Sequence, residues 1–290
     1  MEVHLVDGTY ELFRHYYALP SARDAGGREI AAVRGVVGSI LGMINAGATH
    51  VGVATDHVIE SFRNDLWAGY KTGDGIEPEL LSQFHPLEDA LTAMGVKVWA
   101  MVEFEADDAL AAAAHRAAQL PDVEQVIICT PDKDLSQCVV GERIVQFDRR
   151  KRETRNEAGV VARFGVGPTS IPDYLALVGD SADGFPGIPG WGEKASGALL
   201  GRYKHLEQIP ASPSTWDVPV RGAARLSGAL EQNRELAVLF RTLATLRTDV
   251  TVFADLDELR WRGPRAEFEQ TAGRLGVPGL WDRARRAQPA

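Results

Sequence analysis

Apolar and polar residues alternate along the first half of the chain in the order of strands and helices. Short apolar runs, typical of buried strands, lie at residues 3–8, 51–56, 96–102, 123–130 and 142–148. The stretches between them have helix-forming composition at residues 10–18, 30–46, 87–94 and from 105 onward. This alternation predicts an α/β fold with a mostly parallel central sheet flanked by helices.

The second half of the chain has a different pattern. Residues 156–164, 170–178 and 223–246 have the composition of helices, and a loop rich in Pro and Ser spans 206–219. A glycine-rich turn at 179–195 opens a further helix, and such turns let a phosphate approach backbone amides at the positive helix end. We predict an α/β domain at 1–155 and a helical region at 156–290.

Acidic residues recur where the predicted strands end. Asp7 and Asp56 each close an apolar run, and a third run is followed by Asp132 and Asp134. The carboxyl ends of parallel strands share the edge of the sheet where ligands bind. For Asp7 taken alone, capping of the following helix at residues 10–18 is the favoured interpretation.

The densest acidic stretch is Glu105-Ala106-Asp107-Asp108, at the start of an alanine-rich predicted helix. A favourable helix dipole is worth ~0.3–1 kcal/mol per charge. Two unit charges about 4 Å apart repel by roughly 4 kcal/mol at an effective dielectric constant near 20. The dipole therefore does not explain the crowding. Asp180 and Asp183, beside the glycine-rich turn, add two more carboxylates.

Residues 57–86 interrupt the regular pattern. They carry Arg63, Trp67, Tyr70 and Lys71, followed by a piece rich in Gly, Asp and Pro. Long insertions at the active edge of an α/β sheet are usually functional or mobile. Two interpretations stay open: a solvated loop whose aromatic residues pack down, or a surface that grips a nucleic-acid backbone and stacks bases.

Composition sets broader limits. The 290 residues are 45% hydrophobic and 24% charged, as in ordinary globular proteins. No apolar run approaches the ~18 residues that span a bilayer, so a cytoplasmic protein without a membrane partner is expected. The net charge of −9 argues against a nucleic-acid partner. That argument weakens if the acids are gathered around divalent cations.

Five ordered motifs resemble the bacterial 5′ nuclease (flap endonuclease) family, which includes the 5′→3′ exonuclease domain of DNA polymerase I. They are Leu5-Val6-Asp7-Gly8; Asp56 with Ser61-Phe62-Arg63 and Gly69-Tyr70-Lys71; Glu105 to Asp108; Asp132-Lys133-Asp134-Leu135; and Gly179-Asp180 through Ala195. Leu246-Arg247-Thr248-Asp249 extends the resemblance over nearly the whole chain. Departures from the family pattern occur at Glu103-Phe104, Pro131, Ala182 and Gly184.

The resemblance implies a PIN-like, resolvase-like fold. In this fold residues 57–86 would form a helical arch over a 5′ single strand. Residues at about 173–200 would form a helix–three-turn–helix that holds duplex DNA, with a bound K⁺. Such contacts fix the position of the duplex without reading its sequence.

The resemblance also implies a metal-dependent site. Two Mg²⁺ or Mn²⁺ ions would clamp the scissile phosphate and activate water, in one pocket lined by Asp7, Asp56, Glu105, Asp107, Asp108, Asp132, Asp134, Asp180 and Asp183. Glu105 and Asp107 are expected nearest the tighter ion with Asp7 and Asp56, and Asp180 and Asp183 nearest the weaker one. Lys71 and Arg63 would offset charge on the phosphate. Residues implied in DNA binding are Arg14, Tyr70, Gly187, Gly190, Gly192 and Lys194.

The function implied is that of a monomeric flap endonuclease and 5′→3′ exonuclease. It would cut branched or 5′-flap DNA in replication and repair, near the nucleoid and without an attached polymerase. One alternative is a catalytically silent binder of branched DNA, which would not need nine carboxylates. Another is a PIN-type ribonuclease, which would lack the long arch and the glycine-rich module.

Overall fold

The computed structural model describes residues 1–287. Among these residues, no helix is both long enough and apolar enough to cross a membrane. The strands and helices follow in chain order: β1 (Glu2–Asp7), α1 (Gly8–Ala18), α2 (Ala31–Asn45), β2 (His50–Asp56), α3 (Arg63–Leu66), α4 (Pro78–Leu81), α5 (Phe84–Ala93), β3 (Lys97–Met101), α6 (Ala106–Ala118), β4 (Gln125–Cys129), β5 (Ile144–Asp148), β6 (Glu153–Arg155), α7 (Glu157–Phe164), α8 (Ile171–Val178), α9 (Glu193–Tyr203), α10 (Ala223–Gln232), α11 (Arg234–Ala244), α12 (Glu267–Arg274) and α13 (Gly279–Arg286).

The chain divides into two compact units, each made of separate chain segments. The first unit contains residues 1–59, 73–130 and 248 onward. The second contains residues 60–72 and 131–247. The domain boundary expected at residue 155 remains a prediction, because these units follow contacts in space and neither is continuous in sequence.

The first unit is built on four parallel strands in the order β3-β2-β1-β4. Val3 lies opposite His50 on one side and Val126 on the other, so the carboxyl ends of these strands share one edge. Helix α6 contacts all four strands. Its alanines from Ala109 to Ala114 are buried, and their small side chains let the helix lie close to the sheet. The predicted α/β class with a mostly parallel sheet is confirmed.

The second unit is mainly helical. Strands β5 and β6 form an antiparallel pair, and helices α8, α9 and α11 pack around a core that includes Tyr174, Phe185, Trp191 and Phe240. The single helix expected at 223–246 is instead two helices that meet at Asn233. The Asn233 side chain donates to the carbonyl of Ala229 and competes with regular helical hydrogen bonding at that point.

Residues 57–86 contain two four-residue helices, α3 and α4, and otherwise turns before α5 begins at Phe84. The aromatic residues pack inward, as the first of the two interpretations held. Tyr70 is 3% exposed and belongs to the core of the second unit. The indole Nε1 of Trp67 donates to the carbonyl of Gly184 at 3.1 Å.

Candidate active site

A first group of carboxylates lies at the carboxyl edge of the parallel strands. Asp7 ends β1, caps α1 through the amide of Tyr10 at 2.8 Å, and accepts the hydroxyl of Thr130 at 3.0 Å. Asp56 ends β2 and accepts the amide of Ala106, the first residue of α6, at 2.8 Å. Both carboxylates are more than 90% buried. The capping role considered for Asp7 is therefore present, and the same carboxylate occupies the edge where ligands bind.

At the acidic start of α6, Glu105 and Asp108 cap the helix and Asp107 does not take part in the cap. Glu105 is the N-cap, and Glu105 and Asp108 form a capping box in which each side chain accepts the other's backbone N–H. The Glu105 amide to Asp108 Oδ2 distance is 3.0 Å, and Asp108 has no exposed surface. Asp107, between them, is partly exposed. The structure thus gives Asp108 a structural role that helix periodicity alone did not reveal.

A second group lies in the second unit, where Asp134, Asp180 and Asp183 each place a carboxylate oxygen within 4.8 Å of the others. Asp134 is 5% exposed and its Oδ1 has no hydrogen-bond partner. Burial raises the pKa of Asp134 well above 3.8, and the charges of Asp132, Asp183 and Asp180 raise it further. Oδ1 of Asp132 accepts a hydrogen bond from the backbone amide of Asp134 at 2.9 Å.

Two lysines offset part of this negative charge. Lys133 Nζ lies 2.7 Å from Asp180 Oδ2. Burial alone would lower the pKa of Lys133, but the hydrogen bond and the charge of Asp180 outweigh it and raise the pKa. Lys71 Nζ lies 3.5 Å from Asp183 Oδ1, and the Lys71 amide donates to the carbonyl of Asp183 at 3.1 Å.

The chemistry of these donors fits a hard divalent cation. Both groups offer carboxylate oxygens, which are the ligands that Mg²⁺ and Mn²⁺ prefer. In the second group, burial and the neighbouring carboxylates raise the pKa of Asp134, and its Oδ1 has no hydrogen-bond partner; a bound cation would offset both penalties.

Arg63 and Tyr70 lie elsewhere than expected. Arg63 is fully buried, and its guanidinium donates to the carbonyls of Leu243 at 2.8 Å and Thr245 at 3.1 Å, at the end of α11. A group without exposed surface does not reach a phosphate in this conformation. The ring of Tyr70 is likewise enclosed in the apolar core, with Lys71 Nζ 5.8 Å from its centroid, so it is not available to stack on a base.

Arg14 and Gly187, two residues predicted to bind DNA, make close contacts within the protein. Arg14 Nη2 lies 2.5 Å from the buried carboxylate of Glu11. Gly187 has a φ of +71°, and a Cβ there would lie 2.4 Å from the amide nitrogen of Gly179. The close approach of these two backbone segments therefore requires a glycine at position 187.

The start of α9 is open to solvent and carries Lys194 next to the acidic Glu193. Gly190, Gly192 and Lys194, three of the residues predicted to bind DNA, are exposed there. Gly192 and Lys194 line a cleft of about 580 Å³ together with Arg221. The guanidinium of Arg225 lies beside Gly190, 3.4 Å from where a Cβ would stand. An exposed helix amino terminus with adjacent cations suits a phosphate.

The chain belongs to the 5′-3′ exonuclease family of nucleases. Residues 2–165 match the model of its N-terminal resolvase-like domain, and residues 166–267 match that of its C-terminal SAM fold. The chain is 37% identical to DNA polymerase I of Pseudomonas aeruginosa over 267 residues, which is 91% of this chain and 29% of that protein. It therefore spans less than a third of the length of the polymerases that it matches.

A shorter relative and two solved structures match this chain over most of their own length. The 5′-3′ exonuclease of Buchnera aphidicola is 27% identical over 88% of this chain and 90% of its own length. The T5 5′-exonuclease structure has a TM-score of 0.63 at 16% identity and covers 98% of this chain and 96% of its own. Flap endonuclease-1 from Methanococcus jannaschii has a TM-score of 0.61 at 14% identity, with 99% and 92% covered. These structures share the fold.

Lys133, Arg221 and Arg225 were not singled out in the sequence. Lys133 stands between two acids of a motif, and that position was a usable signal. Arg221 and Arg225 follow a loop rich in Pro and Ser, and their sequence gives no sign that they lie beside Lys194 and Gly190. The fold alone brings them there.

Proposed function

We propose that this protein is a divalent-metal-dependent phosphodiesterase that cuts structured DNA near a 5′ end, as a flap endonuclease and 5′→3′ exonuclease. The proposal rests on the family and on the presence of all nine carboxylates. We further propose that it acts as a monomer in the bacterial cytoplasm, near the nucleoid, in replication and repair.

The two carboxylate groups are proposed to differ in their affinity for Mg²⁺ or Mn²⁺. Asp7, Asp56, Glu105 and Asp107 would hold the tighter ion. Asp134, Asp180 and Asp183 would hold a weaker one, because Lys133 already bonds Asp180 there. Bound divalent ions supply Lewis-acid stabilisation of the phosphate and lower the pKa of water.

Several side chains of the protein have positioning roles in this proposal. The amide of Ala106 fixes the rotamer of Asp56, and the hydroxyl of Thr130 fixes that of Asp7. Lys71 would place its ammonium toward the phosphate. Arg63 would act indirectly: it bonds the end of α11 and anchors the segment that carries Lys71.

The start of α9 is proposed to hold the duplex backbone. Gly190 and Gly192 leave the helix amides accessible, and Lys194 with Arg221 adds positive charge at the cleft. A K⁺ ion in the turn that precedes α9 is part of this proposal. Among the structures with the same fold, a T5 flap endonuclease is described in complex with DNA and metal ions, and the Rad2 catalytic core in complex with DNA substrate.

The observation that carries the proposal is the Asp134–Asp180–Asp183 trio, in which Asp134 and Asp180 are buried and Oδ1 of Asp134 has no hydrogen-bond partner. The test is cleavage of a 5′-labelled flap duplex with Mg²⁺ or Mn²⁺ by wild-type protein and by Asp107→Asn and Asp180→Asn variants. We expect cleavage by the wild type and a loss of at least 100-fold in each variant. Asp89→Asn, at an exposed acid of α5, is the control and should cut normally.

Two results would point to the other functions. Flap binding without metal-dependent cleavage by wild-type protein would indicate a silent DNA binder. Preferential cleavage of the matching RNA flap would indicate a ribonuclease. Either result would overturn the proposal.

A further inference from the structure

Two histidines of the first unit lie against each other, directly after a proposed metal ligand. The rings of His57 and His85 are parallel, with centroids 4.1 Å apart and an interplanar angle of 8°. His57 follows Asp56 at the carboxyl end of β2, and His85 is on α5. The pair has no part in the activity proposed above.

Hydrogen bonds hold this pair in place. His57 Nδ1 lies 2.7 Å from Glu88 Oε2, and the other oxygen of Glu88 accepts the hydroxyl of Thr55 at 2.8 Å. Glu88 is 7% exposed and therefore fixed. His85 and Glu88 are three residues apart on α5, so they share one face of that helix. His85 Nε2 also lies 3.3 Å from the carbonyl of His57.

His85 is the exposed member of this stack, and His57 is partly buried. The inner face of His85 is covered by His57, yet His85 is an exposed residue. The ring face turned away from His57 is the face on which a further ring can stack. A flat aromatic surface that is both rigid and solvent-facing is what a nucleobase needs for stacking, and histidine is among the residues that stack on unpaired bases.

We propose that the outer face of His85 is a stacking site for an unpaired nucleobase of the DNA strand being cut. This inference rests on the proposed function and adds a contact that holds the strand beside Asp56. Because every base has an aromatic face, the site would be tolerant of sequence. Glu88 and Thr55 act as positioning residues that keep His57, and through it His85, in one orientation.

The test uses a 5′-flap duplex with 2-aminopurine as the unpaired nucleotide next to the junction, bound in Ca²⁺ so that cleavage is slow. Residual cleavage is followed on the same sample. Binding to wild-type protein should quench the fluorescence of 2-aminopurine through stacking. His85→Ala should abolish the quenching and raise the KM for cleavage in Mg²⁺ by roughly 5- to 100-fold, with a smaller change in kcat.

Two variants make the result specific. His85→Phe keeps an aromatic face without ring nitrogens and should retain the quenching. His115→Ala removes an exposed histidine from α6 of the same unit and should behave as wild type. If His85→Ala quenches as wild type, or if His85→Phe fails as His85→Ala does, the stacking site is excluded.

The outcome is separable from that of the proposed function. A wild-type protein that cuts the flap while His85→Ala is unchanged would overturn only the stacking site. A wild-type protein that cuts no flap would overturn the proposed function, whatever the fluorescence shows.

Discussion

Lys133 and Asp180 form an ion pair in the second unit, with Nζ 2.7 Å from Oδ2, at a distance of 47 residues along the chain. The pair sits inside the group of three carboxylates proposed to hold the weaker ion. The ammonium thus occupies a carboxylate oxygen that a divalent cation would need. Competition between the lysine and the ion has a measurable consequence.

Replacing Lys133 with Met should tighten binding of the weaker ion. Without the ammonium, Lys133 no longer competes for Asp180, and a gain of roughly 2- to 5-fold in affinity is expected from the loss of a partly exposed pair. Titration of Mn²⁺ without DNA, followed by electron paramagnetic resonance, measures it. Lys151→Met, at an exposed lysine, is the control. Unchanged or weaker Mn²⁺ binding by Lys133→Met would contradict the competition.

Asp134→Asn should stabilise the metal-free protein as pH rises. The folded-state pKa of Asp134 is raised above 3.8 by burial and by neighbouring carboxylates. The unfolded state therefore releases this proton at lower pH, and wild-type folding stability falls between the two pKa values. In EDTA, the stability of Asp134→Asn relative to wild type should grow from pH 4 upward and level off above the folded pKa.

Urea denaturation at several pH values measures this difference. Adding Mn²⁺ at neutral pH should make the wild type more stable than Asp134→Asn, because the wild type then gains binding energy that the variant lacks. Asp282→Asn, at an exposed acid, should show neither effect. If the stability difference between the variant and wild type in EDTA did not depend on pH, the pKa of Asp134 would not be raised in the folded protein.

Asp107 and Asp108 should separate into a functional and a structural acid. Asp108 is buried and completes the capping box, so Asp108→Ala should lose about 0.5–2 kcal/mol of unfolding free energy. Asp107→Ala should lose cleavage with little change in stability. Thermal unfolding and flap cleavage, measured on both variants, make the comparison. Equal loss of stability in the two would contradict the division of tasks.

Arg63→Ala should act mainly on stability. It leaves the carbonyls of Leu243 and Thr245 without their buried donor, at an expected cost of about 2–4 kcal/mol. Chemical denaturation measures the loss, and Arg150→Ala, an exposed arginine of the same unit, is the matched control. If Arg63→Ala kept its stability and lost only cleavage, Arg63 would contact the phosphate directly.

Much of the first unit followed from local sequence alone. The apolar runs that end at Asp7 and Asp56 identified β1 and β2, because a buried parallel strand must be apolar along its length. Asp7 and Asp56 were identified for the same reason, because a carboxylate at the end of a buried parallel strand lies at the carboxyl edge of the sheet. The break at Asn233 was missed, since helical periodicity continues across it.

Only the tertiary structure decided what each polar or aromatic side chain faces. Tyr70 and Arg63 lie in one short segment, yet a core and a helix end from the distant C-terminal half enclose them. Periodicity encodes which face of an element is buried, but not which distant element covers it. The sequence by itself therefore determined the strands, their order of appearance and the acids at their ends. The fold decided that Lys133 meets Asp180 and that His85 stacks on His57, because those contacts join residues far apart in the chain.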